Sequence, residues 1–170
     1  MRLFLALWPD KRVSEALARV GQALAELSGG KPVPAEKIHL TLAFLGEVPA
    51  ERVDSVREAA AGARAAPFEL ALDGVGSFRK ARVAWAGASA IPGELVRLQS
   101  RLDRSLREHG FVLDERPFAA HVTLARKIAR SVPAAPMPEV RWHAHECVLA
   151  RTETGTGRYS ILERWSLERD

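Results

Sequence analysis

Ile38-His39-Leu40-Thr41-Leu42 and Ala120-His121-Val122-Thr123-Leu124 share one pattern, a histidine, an aliphatic, a threonine and a leucine, set 82 residues apart. The chain has five His and five Thr, so random placement gives about 0.15 His-x-Thr triplets where two are found, and chance is a poor account of the pair. Both copies sit in apolar segments, which reads as an internal repeat with polar content. Side chains alternate between the two faces of a strand, so His39 and Thr41 share one face while Leu40 and Leu42 share the other. The same parity relates His121 and Thr123 to Val122 and Leu124. Each copy therefore presents an imidazole and a hydroxyl on a polar wall backed by the core. If two such halves pack about a pseudo-twofold axis, both walls border one cleft.

Working outward from this pair, Arg2 to Trp8 is a short apolar run closed by Pro9 and Asp10, as expected for a buried strand leading into a helix. Val13, Leu17, Val20, Leu24 and Leu27 recur at steps of three and four until Gly29 and Gly30, predicting a helix with that stripe on the core. Ile38 to Leu45 reads as a strand, and a helix over about 49–61 comes next. Phe68 to Asp73 alternates, and Arg82 to Ala88 is its expected antiparallel partner. Leu95, Leu98, Leu102 and Leu106 line a long helix between Pro92 and Gly110. Ala119 to Ala125 is the next strand. A proline-rich loop (Pro133, Pro136, Pro138) then leads to strands at Val140 to Arg151 and Tyr159 to Leu167, joined by a hairpin turn at Gly155-Thr156-Gly157. The expected fold is α+β, with antiparallel sheets around a central cleft, helices outside, and residues 1–170 forming one bilobal domain of two tandem-motif halves.

Composition narrows the class. With 47% hydrophobic and 27% charged residues in 170, the chain is an ordinary globular one, neither disordered nor fibrous. The single cysteine, Cys147, cannot form an internal disulfide, which fits a reducing compartment. No run approaches the roughly 18 apolar residues of a membrane span, and Met1 to Trp8 is too short for a signal peptide, so a cytoplasmic monomer without membrane contact is expected. The formal charge of +4 favours anionic partners, and 20 of the 25 cations are arginine, whose planar fork grips phosphate. A genome rich in arginine codons explains that excess equally well.

The residue types point to a chemistry. Two imidazoles flanking a phosphodiester can divide the proton work, one accepting from the attacking oxygen and one donating to the leaving oxygen. Threonine hydroxyls can hold the non-bridging oxygens. No metal or other cofactor is required. His143, His145 and Cys147 alternate over one predicted strand and are possible zinc ligands, though exposed strand histidines are the expected reading. His109, in the last turn of the long helix, complements the helix dipole.

The paired motifs resemble those of the two-histidine (2H) phosphoesterase superfamily, and within it the bacterial and archaeal RNA 2′,3′-cyclic phosphodiesterases, also called 2′-5′ RNA ligases. Looser matches extend the resemblance to Arg2-Leu3-Phe4, Leu42-Ala43-Phe44-Leu45-Gly46, Arg82-Val83-Ala84-Trp85, Arg126, and the closing segment from Leu149 through Gly157 and Tyr159. It implies a metal-independent enzyme that opens the 2′,3′-cyclic phosphate end of an RNA or oligonucleotide to a 2′-phosphomonoester. It further implies His39 as the acid, His121 as the base and Arg126 as a phosphate ligand; the chemistry of their hydroxyls adds Thr41 and Thr123 as phosphate binders. Joining of ends through a 2′-5′ linkage is the alternative reaction, and a non-catalytic RNA-binding module the alternative class. Strand parity places Arg126 on the face opposite His121 and Thr123, unless the strand ends or twists there. Phe44, at the equivalent offset in the first copy, belongs by default to the core and alternatively stacks on a base.

Overall fold

The computed structural model describes residues 1–169. In chain order the elements are β1 (Arg2–Leu7), α1 (Lys11–Ser28), β2 (Lys31–Pro32), β3 (Leu40–Glu47), α2 (Val53–Gly62), β4 (Phe68–Phe78), β5 (Val83–Gly87), α3 (Gly93–Glu108), β6 (Val122–Arg126), β7 (Ala135–Ala144), β8 (Glu146–Thr152) and β9 (Tyr159–Ser166). They build two sheets, ordered β3-β1-β8-β9 and β2-β6-β5-β4-β7, in which every pairing is antiparallel. The first sheet thus takes strands from both ends of the chain, and the two motif strands, β3 and β6, fall in different sheets. The class is α+β as expected.

The helices cross over. α1 packs on β6, β5 and β7, while α3 packs on β3 and α2, so each motif strand is backed by a helix from the opposite half of the chain. The Asp10 side chain starts α1 by accepting from the Val13 N–H at 2.9 Å, and Gly29, at φ 73°, ends it. Its buried face is Val13, Ser14, Leu17, Gly21, Leu24, Ala25 and Ser28. Val20 is only half-buried and Leu27 is 60% exposed, so the predicted stripe is rotated. Small residues make up much of this face because the helix lies close against β6: a Cβ on Gly21 would stand 2.7 Å from the Leu124 carbonyl oxygen. In α3 the four predicted leucines are all buried.

Two further expectations change. The span Val140 to Arg151 is not one strand. It divides at His145 into β7, at the edge of the second sheet, and β8, inside the first. The proline-rich segment is the start of β7, which tolerates Pro136 and Pro138 because an edge strand need not donate every N–H. β1 is buried on both faces: Leu3, Leu5 and Leu7 join the main core, whereas Phe4 and Ala6 form a second cluster with Val148 and Ala150, flanked by Trp8, Tyr159 and Ile161. Among the described residues no helix is long and apolar enough to cross a membrane.

Candidate active site

His39 and His121 each immediately precede their strands, β3 and β6. In both, Nδ1 is 2.7 Å from the carbonyl oxygen two residues back, that of Lys37 for His39 and of Ala119 for His121. A carbonyl only accepts, so Nδ1 is the protonated nitrogen of each neutral ring and Nε2 is left with its lone pair for proton transfer. The two copies are therefore alike in tautomer as well as in sequence.

They are alike in backbone too. Leu5 pairs with Ala43 and Ala6 with Thr41, so Leu42 is an extra residue in β3. Ala84 pairs with Ala125 and Trp85 with Thr123, so Leu124 is the extra residue in β6. Each is a β-bulge at the leucine of the motif, and a bulge shifts the facing of every later residue in its strand by one. This corrects the placement of Arg126: the bulge returns it to the face of Thr123, where it lines the cleft with His121. It likewise brings Phe44 to the face of Thr41. Phe44 is 51% exposed and not in the core, and the Arg2 guanidinium stands 5.2 Å from its ring centre. The bulged carbonyls are both met. Gln99 of α3 donates to Leu42 O at 3.5 Å, and the Val33 N–H, just after β2, donates to Leu124 O at 2.9 Å.

A cavity of about 930 Å³ lies along these elements, its wall including Thr41, Phe44, Phe78, His121, Thr123 and Arg126. His39 is not part of that wall. It is boxed by aromatic rings, with Trp8 stacked 4.9 Å away at 10°, Phe4 at 4.9 Å and Tyr159 edge-on at 5.3 Å. Burial in this box pushes the His39 pKa down from 6.5 to about 4; the bond to the Lys37 carbonyl opposes the shift, and the positive fields of Arg126 and His121 add to it. β3 and β6 touch each other across the two sheets, and Thr41 of the first motif shares the cavity wall with His121, Thr123 and Arg126. Among the described residues His121 meets only Phe78 in this way, edge-on at 5.0 Å. Among the described residues neither the Thr41 nor the Thr123 hydroxyl has a protein hydrogen-bond partner, so both remain available as donors.

The rings around His39 come from positions 4, 8 and 159, and nothing in their spacing marks them as neighbours. Only the parity of β1, which sets Phe4 and Trp8 on the face away from Leu3, Leu5 and Leu7, hints at it. The other histidines stand apart. His143 Nδ1 pairs with Glu69 at 2.7 Å on an exposed edge, and Cys147 is buried in the other sheet with its thiol pushed up to about 12 by burial. The change of sheet at His145 removes the shared strand face assumed for these three. The His109 ring bonds the Ser105 carbonyl at 2.8 Å, at the end of α3.

The chain matches the family described as LigT like Phosphoesterase over residues 7–85 and 87–145. The RNA 2′,3′-cyclic phosphodiesterase of Escherichia coli (strain K12) is 34% identical to it, with 98% of this chain and 96% of the relative covered. The protein of the same name from Thermus thermophilus is 33% identical, with coverages of 98% and 90%. Among solved structures, Escherichia coli LigT complexed with 3′-AMP superposes with a TM-score of 0.90 at 32% identity, covering 99% of this chain and 98% of that one.

Proposed function

Since the chain belongs to the family of LigT-like phosphoesterases, we propose that it hydrolyses RNA 2′,3′-cyclic phosphate ends to 2′-phosphomonoesters, with His39, Thr41, His121, Thr123 and Arg126 as its machinery. The observation that carries the assignment of residues is the matched pair of Nδ1-to-carbonyl bonds, which leaves an Nε2 open on each ring. Nε2 of His121 takes a proton from water as the water oxygen attacks phosphorus. The bond from phosphorus to O3′ breaks, and Nε2 of His39 delivers a proton to O3′, leaving the phosphate on O2′. The two threonine hydroxyls and the Arg126 fork hold the non-bridging oxygens, where charge concentrates in the transition state. Both proton transfers are made by side chains already in place, so no cofactor enters the scheme. End joining through a 2′-5′ linkage is the same sequence with the 5′-hydroxyl of a second RNA attacking phosphorus in place of water, O3′ again leaving.

One observation favours a second arrangement. With its pKa near 4, His39 is neutral in the empty cleft at neutral pH, which suits a base better than an acid. The bound phosphodiester reverses the local field, because an anion beside Nε2 and Arg126 favours the imidazolium and raises the His39 pKa. The profile of kcat/KM, which reports free enzyme, is accordingly expected to show a His39 limb near pH 4, and that of kcat the same limb displaced upward. Superimposable profiles would show that the substrate charges nothing. The same shift carries a stability signature. Between about 4 and 6.5 the unfolded chain holds a proton on this ring that the folded chain does not. Its contribution is therefore present above pH 6.5 and lost as pH falls toward 4. The Tm of the unliganded protein should drop more between pH 7 and pH 5 than that of His39→Asn.

Arg126→Lys keeps the charge and loses the bidentate fork. A hydrogen bond to a charged partner contributes about 1.5–3 kcal/mol, so kcat/KM for a cyclic-phosphate end is expected to fall about tenfold or more. Steady-state kinetics indistinguishable from wild type would remove Arg126 from the site.

A further inference from the structure

The cavity exceeds what one cyclic phosphate requires. At about 930 Å³ it stands near the top of the roughly 300–1,000 Å³ range of small-ligand pockets, and it continues past the motifs to the β4–β5 turn, with Phe78, Arg79 and Lys80, and to Arg116 and Phe118 before β6. The charges on this extension are unequal. Its acids are already paired: Asp114 meets Arg116 at 2.5 Å, which holds its carboxyl down at about 2, and Asp103 meets Arg107 at 2.8 Å. Arg79 and Lys80 are exposed on the wall, and among the described residues neither has a carboxylate within ion-pair distance. Their aromatic neighbour, Phe78, touches His121 edge-on. An aromatic face at the reactive end followed by unpaired cations is the pattern by which proteins hold single-stranded nucleic acid, bases stacking and phosphates paired.

A cyclic phosphate closes the 3′ end of an RNA, so the remaining chain must leave the site in the 5′ direction. Two exits exist. The one past the β8–β9 hairpin tip carries Lys37, whose amine lies over Gly157, and Arg158, but Glu153 stands in the same tip. The other is the cavity extension itself. Resting on the reading of the reaction given above, we propose that Phe78, Arg79 and Lys80 form a subsite for the nucleotides upstream of the cyclic end. The preferred substrate is then an RNA terminus of several nucleotides and not a cyclic mononucleotide.

The test compares kcat/KM for cyclic-phosphate-ended mono-, di- and tetranucleotides. The tetranucleotide is expected to exceed the mononucleotide by at least about tenfold, which is what one phosphate ion pair of about 1.4 kcal/mol supplies. In the double variant Arg79→Ala, Lys80→Ala that ratio should collapse toward one. Equal kcat/KM at all lengths in the wild type overturns the proposal, as does a ratio that survives the double variant or is lost instead in Lys37→Ala, Arg158→Ala. Affinity for a tetranucleotide already bearing a 2′-phosphate is measured alongside. Its log K against log salt should be shallower by about 1.4 in the first double variant, from about 0.7 per phosphate contact on a single strand. If the wild type opens no cyclic end at all, the reading of the reaction falls, while an unchanged salt slope still sinks the subsite by itself.

Discussion

Replacing His39 or His121 with alanine is expected to lower kcat for cyclic-phosphate hydrolysis by about 10² to 10⁴, the usual contribution of a positioned proton transfer. Survival of activity within tenfold in either variant would end the paired-imidazole mechanism and favour a module that merely binds RNA. Alanine at 39 also opens a hole between Trp8, Phe4 and Tyr159, so His39→Asn is the cleaner change. An asparagine amide can still reach the Lys37 carbonyl but has no titrating nitrogen. The two histidines separate on an aryl phosphodiester, whose p-nitrophenolate leaves without being protonated. If His39 is the acid, its asparagine variant recovers most of the wild-type rate on that ester while His121→Asn does not. The opposite pattern would exchange the roles, in line with the neutral His39 of the empty cleft.

The sequence makes part of this site legible and hides the rest for definite physical reasons. His39, Thr41, His121 and Thr123 stand out because a two-residue period links each pair on one strand face, and the leucines of α3 because a helix writes its buried stripe at three and four. Simple strand parity misplaces Arg126 and Phe44 because a bulge adds a residue without changing residue type: Leu42 and Leu124 look like any other strand leucine. The break at His145 is invisible for a similar cause, since β7 and β8 are both strands and only their partners differ. The stripe of α1 is misjudged when large apolar residues are counted, whereas the contact with β6 selects small ones, Ser14, Gly21 and Ser28. The aromatic box, whose burial of His39 lowers the pKa of its ring, is assembled from three distant positions and has no local signature.

Gly21 joins the fold to the chemistry, and Gly21→Ala is expected to damage both. In isolation the change favours helix by up to about 1 kcal/mol. Here the new methyl would lie 2.7 Å from the Leu124 carbonyl oxygen and 3.4 Å from its Cβ. The first is a backbone atom, which cannot rotate aside. α1 must move off β6, and overpacking of this kind costs about 1–3 kcal/mol or more, outweighing the gain in propensity. For a chain of this length each kcal/mol lowers Tm by about 2–4 °C, so a net loss of about 2 kcal/mol gives an expected drop of roughly 4–8 °C. Because Leu124 is the bulged residue between Thr123 and Arg126, a displacement of its backbone shifts Arg126 on the wall it shares with His121, and KM is expected to rise with the loss of stability. Gly93→Ala is the matched control. Among the described residues nothing lies within 4 Å of a Cβ there, and that variant should melt and turn over like the wild type. A Gly21→Ala protein as stable and as active as the Gly93→Ala one would mean that the close approach of α1 does not hold the bulge in place.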